Sequence, residues 1–173
     1  MGTGKKKKQP VAGTKRELVI ITRPAVTLDQ VKNDERKKKL LLVLRNMEDQ
    51  GGVYERSLAY LLYWLKTEKG IDLGYNFFLV GDVPTSKELH EDIVALLYVG
   101  LAENDPRTKK LRLTSQGKEF LQSTAFEKDF VEKLKAAIEE LKPKVAAIDA
   151  QLELTNMLMR PGAPRRFTIR FGR

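Results

Sequence analysis

The sequence predicts a mainly helical α+β domain with one small β-hairpin, followed by a long helix and flanked by a basic stretch at each end. Three observations predict it. Leucine-rich segments recur at spacings of three and four and are punctuated by glycines, while a single short segment alternates apolar and charged residues around an Asn-Asp-Pro turn. Of 32 lysines and arginines, eleven lie in two end stretches that hold no acid: Lys5, Lys6, Lys7, Lys8, Lys15 and Arg16, then Arg160, Arg165, Arg166, Arg170 and Arg173. At 173 residues the chain suits one domain of ordinary size with appendages.

Residues 1–16 hold too little apolar surface to offset the cost of ordering, so they are expected to stay disordered until an anion organises them. Leu18-Val19-Ile20-Ile21 reads as a short strand or an apolar strap, and Thr27 with Gln30 three residues later as a capping box. A first main helix is expected over residues 34–50, with Leu40, Leu41, Val43, Leu44 and Met47 on one face and Gly51-Gly52 ending it. A second should run over residues 54–69, carrying Leu58, Leu61, Leu62 and Leu65 on one side and an aromatic belt of Tyr60, Tyr63 and Trp64. Residues 72–82 are dense in strand formers, and Gly74 and Gly81 suit extended loop and strand alike. Thr85 or Ser86 caps a third helix that buries Leu89, Ile93, Leu96 and Leu97 and stops at Gly100. The hairpin follows, around Asn104-Asp105-Pro106, and Thr114 or Ser115 opens a further helix through Gly117, Phe120 and Leu121.

Helix, helix, helix, hairpin, helix is the order of a winged helix. Leu96, Gly100 and Leu101, the hairpin, and then Leu113-Thr114-Ser115-Gln116-Gly117-Lys118-Glu119-Phe120-Leu121 resemble the end of the recognition helix, the wing and the following helix of MarR-like and PadR-like winged helix-turn-helix regulators. The resemblance covers residues 35–123, and it implies a DNA-binding module whose Thr caps a helix and whose Gly allows close packing. The stretch from Ile71 to Pro84 is longer than the usual helix-turn-helix connection. The chain then divides into a basic tail (1–16), a winged-helix domain (17–125), a helical or coiled-coil arm (126–159) and a second basic tail (160–173).

In the arm, Leu134, Leu141 and Ile148 share one heptad position and Ile138, Val145 and Leu152 the other, the seam of a coiled coil. Pro143 interrupts it, so a kink or two shorter helices are expected, since proline inside a helix costs about 3 kcal/mol. Similar arms in PadR-like proteins imply a homodimer through these six residues. The alternative is an arm folded back onto its own domain.

Without the two ends, 21 basic residues face 23 acidic ones, so the positive charge of the chain resides in its termini. Clustered cations of this kind gain free energy by releasing counterions from a phosphate backbone. Further candidates are Arg36, Lys37, Lys38 and Lys39 at the start of a helix, where a phosphate would relieve their conflict with the helix dipole. Arg107, Lys109, Lys110 and Arg112 form the wing, and Lys87 and His90 are the base-edge candidates on an otherwise acidic third helix expected to expose Glu88, Glu91 and Ala95. From Arg166 onward apolar and basic residues alternate, so Phe167, Ile169 and Phe171 point one way in an extended strand, suited to anchoring or to stacking on bases. Absence of cysteine and a single histidine, His90, argue against disulfides, thiolate chemistry and histidine-rich metal sites; no catalytic constellation, metal site or cofactor is expected. Glu88, Glu91 and Asp92, and Glu139-Glu140, read as carboxylates on solvated helix faces. No apolar run approaches membrane-spanning length, which leads to the expectation of a cytoplasmic protein associated with nucleoid or ribosome. Duplex DNA is the preferred partner, in a regulatory or architectural role; a ribosome-associated or other RNA-binding protein is the alternative, and a protein-interaction module in a larger assembly the second alternative.

Overall fold

In the computed structural model, residues 26–159 are described. The expectations for the two basic stretches, for Leu18 to Ile21 and for the alternating residues after Arg166 lie outside them. The described chain is mainly helical α+β with two small antiparallel hairpins and a long C-terminal helix.

A short α1 (Leu28–Asn33) opens with the expected capping box: Gln30 N–H donates to Thr27 Oγ1, and Thr27 N–H donates to Gln30 Oε1. Asp34 then caps α2 (Glu35–Asn46), accepting from the N–H groups of Arg36 at 3.0 Å and Lys37 at 3.3 Å. Such a cap contributes about 1 kcal/mol. A 3₁₀ turn at Glu48–Gln50 carries the chain to Gly51, which ends it at φ +71°. All five residues from Leu40 to Leu44 are buried, because α1, α5 (Ser115–Ser123), the second strand of the wing and the long C-terminal helix surround α2. Helical periodicity assigns only one face to the core and leaves Leu42 out; a helix packed against four elements buries that residue too, while Glu35 and Arg45 stay exposed.

In α3 (Glu55–Thr67) the expected Leu58, Leu61, Leu62 and Leu65 are buried. The stretch left open between loop and strand contains both: extended loop to Phe77, then β1 (Phe78–Val80) and β2 (Val83–Thr85) joined by Gly81-Asp82. Gly81 at φ +63° with an ordinary φ at Asp82 is the II′ pattern favoured in two-residue hairpins. Ser86 caps α4 (Lys87–Tyr98) through the N–H of Leu89. The expected wing is β3 (Ala102–Asn104) paired with β4 (Leu111–Leu113), and Leu111 also exchanges two backbone bonds with Val53, at 3.0 and 2.8 Å. Thr114 caps α5 by accepting from Gly117 N–H, and a Cβ on Gly117 would lie 2.1 Å from the Leu101 carbonyl oxygen. Only glycine permits that approach.

The arm is uninterrupted and takes the fold-back alternative. It is one helix, α6 (Lys128–Leu158), continuous through Pro143. Proline lies on the outer face while Leu141 and Val145 are buried on either side of it, and that burial offsets the lost backbone bond. Leu134, Ile138, Leu141 and Val145 are buried inside the chain's own core, against α2 and α3, so these four of the six seam residues assigned to dimerisation pack within one subunit. Only Ile148 and Leu152 remain half-buried. Ion pairs from Lys144 to Glu68 (2.7 Å), Lys142 to Asp49 (2.6 Å) and Lys69 to Glu140 stitch the folded-back helix to the body.

Candidate nucleic-acid interface

Two of the four cations at the start of α2, Arg36 and Lys37, are taken up by a buried carboxylate of the fold. Arg36 reaches α4 and binds Asp92 bidentately, Nε to Oδ2 at 2.6 Å and Nη2 to Oδ1 at 3.1 Å. Lys37 approaches the same carboxylate to 3.1 Å and also pairs with Asp34; Lys38 pairs with Glu35, and Lys39 lies over the Phe130 ring at 5.3 Å. Tyr75 donates its hydroxyl to Asp92 Oδ2 at 3.0 Å, and Arg36 stacks over that phenol at 5.4 Å. Asp92, expected on a solvated face, is 2% exposed. A buried carboxylate requires compensating cations. The conflict of these cations with the helix dipole is thus met within the chain by Asp34 and Asp92. Burial works to raise the Asp34 carboxyl, yet the Lys37 ammonium and the N–H groups of Lys37 and Arg36 hold it below its ordinary value. The Asp92 carboxylate raises the Arg36 guanidinium, and burial, followed by the same carboxylate, raises the Tyr75 phenol.

On α4 the outward residues are Lys87, His90, Glu91, Val94 and Tyr98. Ala95 is buried instead of exposed, and Val94 and Tyr98 take the outer stripe that the sequence reading missed. Both base-edge candidates are engaged: His90 Nδ1 lies 2.7 Å from Glu55, and Lys87 lies 3.5 Å from Glu91. Glu88 accepts from the hydroxyl of Ser86 and from Asn76. The outer face of this helix is therefore nearly neutral and part apolar, a poor match for a phosphate backbone.

The wing divides its four cations between two tasks. Lys110 pairs with Asp149 (3.1 Å) and Glu153 (3.2 Å) on α6 and lies 5.2 Å from the centre of the Tyr54 ring; Arg112 pairs with Glu103 (2.8 Å) and Asp105 (3.2 Å). Burial lowers the Lys110 ammonium, but the two carboxylates outweigh it and the net displacement is upward. These two therefore position the hairpin. Asp105 Oδ1 accepts from the N–H groups of Arg107 (2.8 Å) and Thr108 (3.0 Å), which folds the tip and holds that carboxyl below its ordinary value. Lys109 adopts φ +64°, a strained left-handed conformation for a residue with a side chain. Arg107 and Lys109 are exposed at the tip and have no carboxylate partner among the described residues.

Compared with known protein families, curated proteins and solved structures, the chain matches none. The site thus rests on its own geometry. Among the described residues no group of three or more histidine, cysteine, aspartate or glutamate side chains sits together as a metal site, and no helix is long and apolar enough to cross a membrane. Two features lie outside the sequence expectations: Arg56, exposed at the first turn of α3, and the outward-facing apolar strand of the β1–β2 hairpin. The Gly81-Asp82 step was the available signal for the second.

Proposed function

We propose that the chain is a nucleic-acid-binding protein built on a winged-helix module over residues 35–123, and that it holds the phosphate backbone of duplex DNA through the wing tip and its basic ends. The observation that carries this reading is the division of charge. Arg36, Lys37, Lys110 and Arg112 are tied to carboxylates, whereas Arg107 and Lys109 project together from the tip of the hairpin and eleven further cations occupy acid-free ends. The other exposed cations without a carboxylate partner among the described residues, Arg45, Arg56, Lys128, Lys133 and Lys135, lie on helices. The reading differs from classical groove recognition, because the near-neutral outer face of α4 offers little to a phosphate and supports backbone binding with weak sequence preference.

Titration of duplex DNA, structured RNA and single strands over a salt series tests it. Duplex preference with a log–log salt slope steeper than about −5, as expected for about six neutralised phosphates, supports the proposal. RNA preference would transfer it to the ribosome-associated alternative, and failure to bind any polyanion at low salt would end it. Replacing Arg107 and Lys109 by alanine should weaken duplex binding by roughly tenfold and reduce the slope by about two. The same pair of changes leaves the melting temperature in place, because neither side chain carries an ion pair among the described residues.

A further inference from the structure

Between the two helices of the module, the β1–β2 hairpin shows an unsatisfied edge. β2 packs on α3 and β1 lies outside it, with Phe78, Leu79 and Val80 at 56, 55 and 59% exposure. A two-residue loop closes on a hydrogen-bonded pair, here Val80 with Val83, so Leu79 opposite Pro84 is a non-bonded pair. Proline fits that position because no ladder bond is asked of its nitrogen. By the same register, Leu79 turns its N–H and C=O outward, where no backbone partner meets them among the described residues. Proteins normally shield such an edge with charge or a covering element. Here it is apolar, and no described element covers it.

Beside the edge lies a groove of about 490 Å³ between the first turns of α3 and α4, floored by Ala59, Phe78, Val83, Pro84 and Leu89. Its rim carries Glu55, Arg56, Lys87 and His90. Glu55 is held by His90 and Lys87 faces Glu91, so Arg56 is the rim charge without a carboxylate partner among the described residues. An edge that offers one N–H and one C=O asks for another peptide backbone, which nucleic acid lacks, and the neighbouring Glu55, Glu88 and Glu91 repel phosphates.

We propose that β1 is a docking edge for an extended segment of a partner protein in which apolar residues alternate and a carboxylate flanks them. The segment adds as a third strand on Leu79, places an apolar side chain over Phe78, Val83 and Leu89, and brings its carboxylate to Arg56. This surface is independent of the polyanion contacts at the wing, so loss of DNA binding leaves it intact.

The test uses the full chain and two fluorescein-labelled peptides of about ten residues, alternating valine and threonine, one ending in two glutamates and the other in two lysines. Anisotropy should show saturable binding of the acidic peptide and roughly tenfold weaker binding of the basic one. In amide spectra the Leu79 signal should shift and exchange more slowly with solvent when the acidic peptide is bound. Leu79→Pro should abolish binding, and Arg56→Glu, an exposed change that leaves the fold alone, should reverse the preference between the peptides. Equal binding of both peptides, an unresponsive Leu79 amide, an Arg56→Glu variant with unchanged preference, or displacement of the peptide by duplex DNA would each overturn the proposal.

Discussion

The two hairpins use the same device and present opposite surfaces. In β3–β4 apolar and polar residues alternate, so Ala102, Leu111 and Leu113 are buried while Glu103 and Arg112 face water. In β1 three apolar residues run consecutively, and a pleated strand cannot direct all of them at one body. The difference extends to anchorage. The wing is held by ion pairs to α6 and by backbone bonds to Val53, whereas β1–β2 is held by the packing of β2 on α3, by the Tyr60 hydroxyl, which donates to the Asp82 carbonyl at 3.0 Å, and by the loop that Tyr75 fixes to Asp92. What a hairpin offers a partner thus follows from its residue alternation, and how firmly it offers it follows from the elements that tie its base.

The largest test of this contrast is Asp92→Ala. It leaves Arg36 and Lys37 without their buried counter-charge, an expected loss of about 4 kcal/mol that chemical denaturation would measure. If the apolar hairpin depends on this knot, the resonances of Phe78 to Val80 should move while those of the wing tip hold; coincident changes at both would mean that the anchorages are shared. Lys110→Met is the converse. Asp149 is buried and its Oδ1 has no hydrogen-bond partner among the described residues, so Lys110 is its principal compensation, and losing it should cost about 2 kcal/mol. Mobility should then rise at the wing and not at β1–β2. The smallest effect is a pH dependence confined to the tip. Asp105 titrates below its ordinary value of 3.8 in the folded chain, so its stabilising bonds are fully present above pH 3.8 and are lost as the pH falls through the lower folded value. Faster amide exchange of Arg107 and Thr108 in acid, absent in Asp105→Asn, is the expected signature.

Most helices were legible because local signals define them. Thr27 with Gln30, Asp34, Ser86 and Thr114 are all caps, and the buried faces of α3 and α4 follow their leucine spacing. Bounds moved by a few residues where a 3₁₀ turn replaced the last turn of a helix, as after Asn46. What escaped the sequence was the identity of partners across the fold. A heptad seam at Leu134, Ile138, Leu141 and Val145 reports that something apolar covers it, and the same spacing serves a second subunit or the chain's own α3. Likewise Asp92 looked like its neighbours Glu88 and Glu91, since only folding brings Arg36 to it from the other end of the domain. Of the candidate cations, Arg36, Lys37, Lys110 and Arg112 were found to hold the structure together, which leaves the tip residues Arg107 and Lys109 as the legible part of the site among the described residues.

The pairing of Val53 with Leu111 has a kinetic consequence. It spans all of α3, the apolar hairpin and α4, so this bridge, unlike the local β3–β4 ladder, closes only once the entropy of a long loop has been spent. Early folding species should hold their helices and lack the attachment of the hairpin to Val53. In pulse-labelled refolding, protection at Leu61 should precede protection at Leu111, making the seating of the hairpin on the body a late event in the maturation of the chain.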